Sequence, residues 1–366
     1  MSPRVYQLVS AEPSIMATKQ STFLRGFINL PGFEFGAQAD GSYLSSTNPP
    51  QPPPESQINH FLGQNVNFFR VPVAWEYLQP EMNGKLNEAN LKTYKTFIEK
   101  ITSRKAYVAI DLHTFARYKG QIVGESPSTP AEALVSIWTL LGQVFKDNQL
   151  VIFGISNEPH DLDITKWATT VQAVVSGLRG KNIKNVILIP GTDYTSMKTF
   201  PQWYKAMKVV KNPDGSFDGL LFEVHRYLDG DNSGTSPECV ASHTDEVAAA
   251  VELLKADKRQ VILGETGGGS TESCKKFLPE LAKAVVEAYP VFGGFALWAA
   301  GSFKADYGLV TTAKDDSSPT KWKDMGNWLS ITQFIPKGSE DVSKSEDQGK
   351  RDTCKNKEDC RHQIRF

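Results

Sequence analysis

The chain has 366 residues, a formal net charge of -1 and a pI near 6.6, so it lacks the basic excess of a polyanion binder and no nucleic-acid partner is expected. No stretch approaches the roughly 18 consecutive apolar residues of a membrane-spanning helix, so no membrane partner is expected; the first twenty residues also lack the apolar core of a signal peptide. Four cysteines, Cys239, Cys274, Cys354 and Cys360, are too few for a disulfide scaffold and do not have zinc spacing, so no metal and no cofactor is expected.

Short apolar runs alternate along the chain with longer amphipathic ones. The first run, 25–30 (RGFINL), is followed by the Pro-rich stretch 49–54, which sits between the first strand and the first helix and reads as a loop of the barrel, not a domain boundary. A strand at 68–73 (FFRVPV) leads to a helix over 86–104, where Leu91, Tyr94, Ile98 and Ile101 recur at three- and four-residue spacing. Next come a strand at 106–113, a helix at 131–147, a strand at 151–158 and a helix at 164–180 capped by Asp163 or Thr165. Strands at 185–190 and 220–227 precede a helix at 244–256, which starts at Thr244 and carries Val247, Val251 and Leu254. A strand at 260–266, a helix at 272–288 and a strand at 293–300 complete the series.

Eight strands, several of them nearly continuous apolar runs, with helices between them predict an α/β fold, a single (β/α)8 TIM barrel over 23–335. A doubly wound sheet would need a glycine-rich phosphate turn after an early strand, and Pro31-Gly32 is not one. Residues 1–22 read as an N-terminal extension. Residues 336–366, rich in Lys, Asp, Glu and Ser, read as a charged, weakly ordered tail.

Barrels of this type place their chemistry at the C-terminal ends of the strands. Here those ends carry Arg70, His113, Asn157 with Glu158, His225 with Tyr227, Glu265, and Trp298. Cleaving a glycosidic bond needs one carboxylic acid to protonate the leaving oxygen and one carboxylate to attack the anomeric carbon; Glu158 and Glu265 suit these roles. Either glutamate alone reads equally well as an ion-pair partner, but the two together do not. Arg70 would keep a carboxylate ionised, and His225 and Tyr227, two apart on one strand, would face the same interior. His113 and Asn157 are placed to bind sugar hydroxyls, and Trp298 offers a flat face for a sugar ring.

The segments FINLPGFEFG, FFRVPVAWEYL, DLHTFARY, SNEPHD, EVHRYLDGDNSGT, ILGETGGG and LWAAGSF, in this order over about 25–330, resemble glycoside hydrolase family 5. The likeness is greatest to its fungal endo-β-1,4-glucanases, grouped as subfamily 5. It implies that Glu158 is the acid/base and Glu265 the nucleophile, with Arg70, His113, Asn157, His225, Tyr227 and Trp298 supporting them. It further implies a Cys239–Cys274 disulfide, hence an oxidising compartment and a secreted monomer acting on polysaccharide or oligosaccharide, with an intracellular protein the alternative that the missing signal peptide leaves open.

The chain departs from the family around the cleft. Thr114 and Tyr118 stand where relatives carry an amide and a tryptophan, and so do Thr192 and Tyr194. These changes make a mannan, a xyloglucan or a short β-glucoside the alternative substrate, and Tyr118 and Tyr194 the substituted sugar contacts. Ala37 and Tyr43 occupy the places of an early cysteine pair, so other contacts must fix the first loop. The tail lacks the aromatics of a cellulose-binding module, which points to soluble glucan. A barrel that binds glycans without hydrolysing them has no use for the carboxylate pair.

Overall fold

A computed structural model describes residues 26–335 apart from 305, 316 and 319. The predicted extension 1–22 and tail 336–366, with Cys354 and Cys360, lie outside the described residues.

The chain begins with β1 (Phe27–Asn29), α1 (Glu55–Leu62), β2 (Phe68–Val73), the single-turn α2 (Trp75–Leu78), α3 (Glu88–Thr102) and β3 (Tyr107–Leu112). A hairpin of β4 (Arg117–Tyr118) and β5 (Gln121–Ile122) leads to α4 (Ala131–Phe145), β6 (Val151–Gly154), α5 (Ile164–Gly180), β7 (Ile187–Ile189) and α6 (Phe200–Met207). Then follow β8 (Leu220–Tyr227), α7 (Thr244–Ala256), β9 (Val261–Gly267), α8 (Glu272–Glu287) and β10 (Phe292–Leu297). The hairpin of β11 (Thr312–Lys314) and β12 (Trp322–Asp324) and the helix α9 (Gly326–Ile331) come last. Strands β1, β2, β3, β6, β7, β8, β9 and β10 close into one barrel, each paired in parallel with its neighbours. The TIM barrel read from the sequence is the fold.

Helix α5 shows how local sequence builds the outer shell. Asp163, not Thr165, is its cap, accepting from the backbone N–H of Thr165 at 2.8 Å and of Lys166 at 3.2 Å. Trp167, Val171, Val174, Val175 and Leu178 recur at helical spacing and are buried against the sheet. Each such side chain stabilises the fold by about 1.5–3 kcal/mol, so Val174→Asp would break this contact.

Inside the barrel, one residue from each strand forms a closed apolar floor: Phe27, Phe68, Ala109, Ile152, Leu188, Leu221, Ile262 and Ala296. In the first loop, Ala37 and Tyr43 pair as an antiparallel bridge, so backbone hydrogen bonding fixes the turn. The sequence reading missed the two hairpins and the short helices α1, α2, α6 and α9, all of them too short to show a clear period. Helix α9 is anchored by Asn327, which donates to the carbonyls of Gly268, Leu309 and Val310, and by the buried Trp328.

Candidate active site

Two residues above the floor, about 7 Å along the strands, the inward positions become polar. Asn29, Arg70, Asp111 and Glu223 occupy them, all buried, while Gly154 and Gly264 leave room for the neighbouring side chains. A Cβ on Gly264 would lie 2.1 Å from Glu223 Oε1, so no larger residue fits there.

Arg70 organises this layer. Its Nη1 donates to Glu265 Oε1 at 2.6 Å and to Asn29 Oδ1 at 3.1 Å, and its Nη2 donates to Asn157 Oδ1 at 2.7 Å. Nη2 also lies 3.1 Å from Asp111 and Nε 2.9 Å from Glu223, so one guanidinium faces three carboxylates. Burial opposes the charge, but Asp111, Glu223 and Glu265 outweigh it and hold the Arg70 pKa above its ordinary value.

Strict alternation from Ile262 would turn Glu265 away from the barrel interior. Instead β9 carries one extra residue at this point relative to both β8 and β10, and this bulge turns Glu265 inward. Tyr227 then donates its hydroxyl to Glu265 Oε2 at 2.6 Å. Burial first, and then the Glu265 charge, push the Tyr227 phenol well above its usual pKa, so it stays a donor. The Glu265 side chain is only 4% exposed.

Glu158 arrives from the loop after β6, since this strand ends at Gly154 and not at 158 as predicted. Its φ of +42° is rare for a residue with a side chain and costs on the order of 1–3 kcal/mol, the kind of strain that concentrates at functional sites. His225 Nδ1 lies 2.8 Å from Glu158 Oε1 and 3.8 Å from Glu265 Oε2. A carboxylate oxygen of Glu158, a ring nitrogen of His225 and a carboxylate oxygen of Glu265 all lie within 4.8 Å of one another. The two glutamates thus open into one space. With its side chain 17% exposed, Glu158 is the more accessible of the two.

The remaining expected residues divide. Trp298 is half-buried and stacks on His113 at 5.8 Å, with its indole at the mouth. His113 has Nδ1 2.9 Å from Asp111 and Nε2 3.2 Å from Asn157 Nδ2, so both nitrogens are engaged within the protein. Asn157 is likewise held, between Arg70 and His113, and orients its neighbours from there. Tyr194 is 44% exposed and stacks at 4.2 Å on His160, leaving its other face open at the rim.

Tyr118 requires a correction as a sugar contact. It is 2% exposed, packs edge-on against Trp75 and donates its hydroxyl to the Pro80 carbonyl, because the β4–β5 hairpin folds it into the core. Thr114 is also buried, beside Ser156, so two of the four departures never reach the cleft surface. The implied disulfide is present: Cys239 and Cys274 join the loop after β8 to α8, over Gly268.

Sequence reasoning missed Asp111, Glu223 and Glu34. Glu223 shares an alternating face with Leu221, His225 and Tyr227, and that signal could have found it. Glu34, in the loop after β1, accepts from the Gly32 backbone N–H, and burial pushes its carboxyl up to about 7.

A closed (β/α)8 barrel with two carboxyl groups converging at its C-terminal mouth defines a barrel glycosidase. More particularly, the chain belongs to the family described as cellulase, glycosyl hydrolase family 5, which matches residues 28–301. It is 39% identical over 298 residues to the manganese dependent endoglucanase Eg5A of Phanerodontia chrysosporium, a span of 80% of this chain and 76% of that protein. It is similar to the crystal structure of Cel5A (EG2) from Hypocrea jecorina (Trichoderma reesei), with a TM-score of 0.80 and 33% identity over 86% of this chain and 99% of that one. A structure of XacCel5A in complex with cellopentaose matches with a TM-score of 0.76 and 31% identity, over 86% of this chain and all of that one.

The first of these names raises the question of a divalent cation. Among the described residues, the trio with converging ligand atoms is Glu158, His225 and Glu265. Those atoms already have partners: His225 Nδ1 on Glu158, and Arg70 and Tyr227 on Glu265. With a guanidinium 2.6 Å from Glu265, the trio does not fit a resident cation.

Proposed function

We propose that the protein is a retaining endo-β-1,4-glucanase that works by double displacement. The observation that carries this reading is the approach of Glu158 and Glu265, whose carboxylate oxygens lie within 4.8 Å. Retaining glycosidases hold their carboxyl groups roughly 5–5.5 Å apart, whereas inverting ones leave space for a water between them.

Glu265, held as an oriented carboxylate by Arg70 and Tyr227, attacks the anomeric carbon and forms a glycosyl ester. Glu158 gives its proton to the departing oxygen as the glycosidic bond breaks. It then takes a proton from water, whose oxygen attacks the same carbon, and Glu265 leaves. The face of the anomeric carbon that lost the sugar receives the water, so configuration is retained.

The relatives are named as endoglucanases, and one solved relative holds cellopentaose, which supports a β-1,4-glucan substrate. Burial of Thr114 and Tyr118 removes half of the motive for a mannan, xyloglucan or short-glucoside specificity. The Cys239–Cys274 disulfide supports a protein exported to an oxidising compartment.

Side-by-side assays on carboxymethyl-cellulose, barley glucan, mannan, xyloglucan and aryl-glucosides test the substrate. The two β-glucans should be cleaved internally, with viscosity falling ahead of reducing-sugar release. Cleavage of aryl-glucosides alone would end the endo-glucanase reading.

A further inference from the structure

We infer that Glu223 is a positioning residue that holds His225 in the doubly protonated form facing Glu158, and thereby sets the alkaline limit of turnover. The inference rests on the two-glutamate reading above.

Glu223, His225 and Tyr227 follow one another along the inward face of β8, and the Glu223 and His225 side chains are each 2% exposed. His225 stands between two carboxylates. Its Nδ1 is 2.8 Å from Glu158 Oε1, and its Nε2 is 3.4 Å from Glu223 Oε1. An ionised carboxylate only accepts and a neutral imidazole has one N–H, so a ring that serves both partners needs a proton on each nitrogen. Glu223 meets its side of this condition. Burial favours its neutral form, but Arg70 and His225 outweigh burial and keep the carboxyl below its usual range. Gly264 leaves the space this carboxylate occupies.

Apart from Arg70, the other groups around His225 act in the same direction or are neutral. Glu265 faces it from β9 at 3.8 Å, and Glu158 from the loop after β6. Tyr227, on its own strand, is held neutral by burial and by Glu265. The loop after β7 contributes only backbone, with the His225 N–H donating to the Thr195 carbonyl at 2.9 Å. The Arg70 cation, on β2, is an opposing charge, and Asp111, Glu223 and Glu265 surround it. Burial alone would discharge His225, but Glu265, Glu158 and Glu223 together push it up to about 10.

With Nε2–H fixed on Glu223, Nδ1 is the nitrogen that shares a proton with Glu158. It donates to Glu158 in the step where this residue must be a carboxylate and take a proton from water. Loss of the Nδ1 proton at high pH removes that donor, and turnover falls.

The test is the pH profile of kcat, which includes the step in which water attacks the glycosyl ester, on a soluble cello-oligosaccharide for Glu223→Gln, which keeps the shape and removes the charge. Without that charge the imidazolium is less favoured, so the alkaline limb should move down by about one pH unit or more, with KM within about twofold of the parent. Glu223→Asp, which keeps the charge, should bring the limb back toward the parent. A Glu223→Gln limb that coincides with the parent overturns the inference, as does a change in KM alone. Should that variant not fold, nitrogen NMR of the unaltered protein decides. Both His225 ring nitrogens should carry protons at pH 7, and a singly protonated neutral ring overturns the inference. Glu158→Gln and Glu265→Gln activities separate the two failures. If these variants remain active, the two-glutamate reading fails; if they are inactive while the Glu223→Gln limb is unmoved, only the role of Glu223 fails.

Discussion

The floor and the mouth of the barrel are built by the same strands and lie two residues apart along each, or three on β9 where the bulge adds one. At the floor, Phe27, Phe68, Ala109, Ile152, Leu188, Leu221, Ile262 and Ala296 meet as a dry cluster with no polar group to satisfy. At the mouth, Asn29, Arg70, Asp111, Glu223 and Glu265 meet as a buried charged network in which each group depends on its neighbours. Burying charges costs several kcal/mol per ion, recovered only with close partners, so the mouth adds little net stability. The comparison separates two tasks: the floor keeps the barrel closed, and the mouth keeps the carboxylates oriented and differently exposed.

Substitutions should therefore divide by height in the barrel. The largest effect expected is on turnover. Glu265→Gln and Glu158→Gln should each lower kcat on carboxymethyl-cellulose by about a thousandfold or more, since each removes one step of the displacement. Their melting temperatures should change much less than their activity, because glutamine keeps the shape and Arg70 keeps Asp111 and Glu223 as partners. Substantial activity in either variant rejects the assignment. The floor should behave in the opposite way. Ile262→Ala should cost about 2–5 kcal/mol in denaturant unfolding by leaving a cavity, while kcat stays within about twofold. A large loss of activity at unchanged stability would show that floor and mouth are not separable.

A smaller effect is the dependence of stability on pH. His225 has its pKa raised from 6.5 to about 10, so its stabilisation is complete below about pH 6.5 and is lost as pH rises through about 10. Glu34, raised from 4.5 to about 7, has the same sign over a lower window. The melting temperature should therefore decline from pH 5 to pH 10, and the slope between pH 7 and 10 should be shallower in His225→Asn. Equal slopes would remove His225 from the mouth's charge balance.

Much of this was legible in the sequence, for reasons that also explain the gaps. Apolar runs such as 106–113 and 220–227 announced buried parallel strands, and their polar last residues announced the mouth. The inward direction of Glu265 was not legible from alternation, because one extra residue beside Gly264 reverses the face, although a glycine inside a strand is itself a hint of a bulge. Tyr118 was misplaced because its orientation depends on β4 and β5, each two residues long, which carry no readable period. Glu223 was overlooked inside an apolar run, where its partner lies on β2 and becomes visible only once the barrel closes.

Double displacement depends on the spacing of the two carboxyl groups, and the stereochemistry of the first product reports on that spacing. Proton NMR of a β-linked cello-oligosaccharide during early hydrolysis follows the new reducing end before mutarotation. The β-anomer should appear first, followed by slow growth of the α-anomer. Appearance of the α-anomer first would mean inversion through a water between the glutamates, and would contradict the displacement by Glu265.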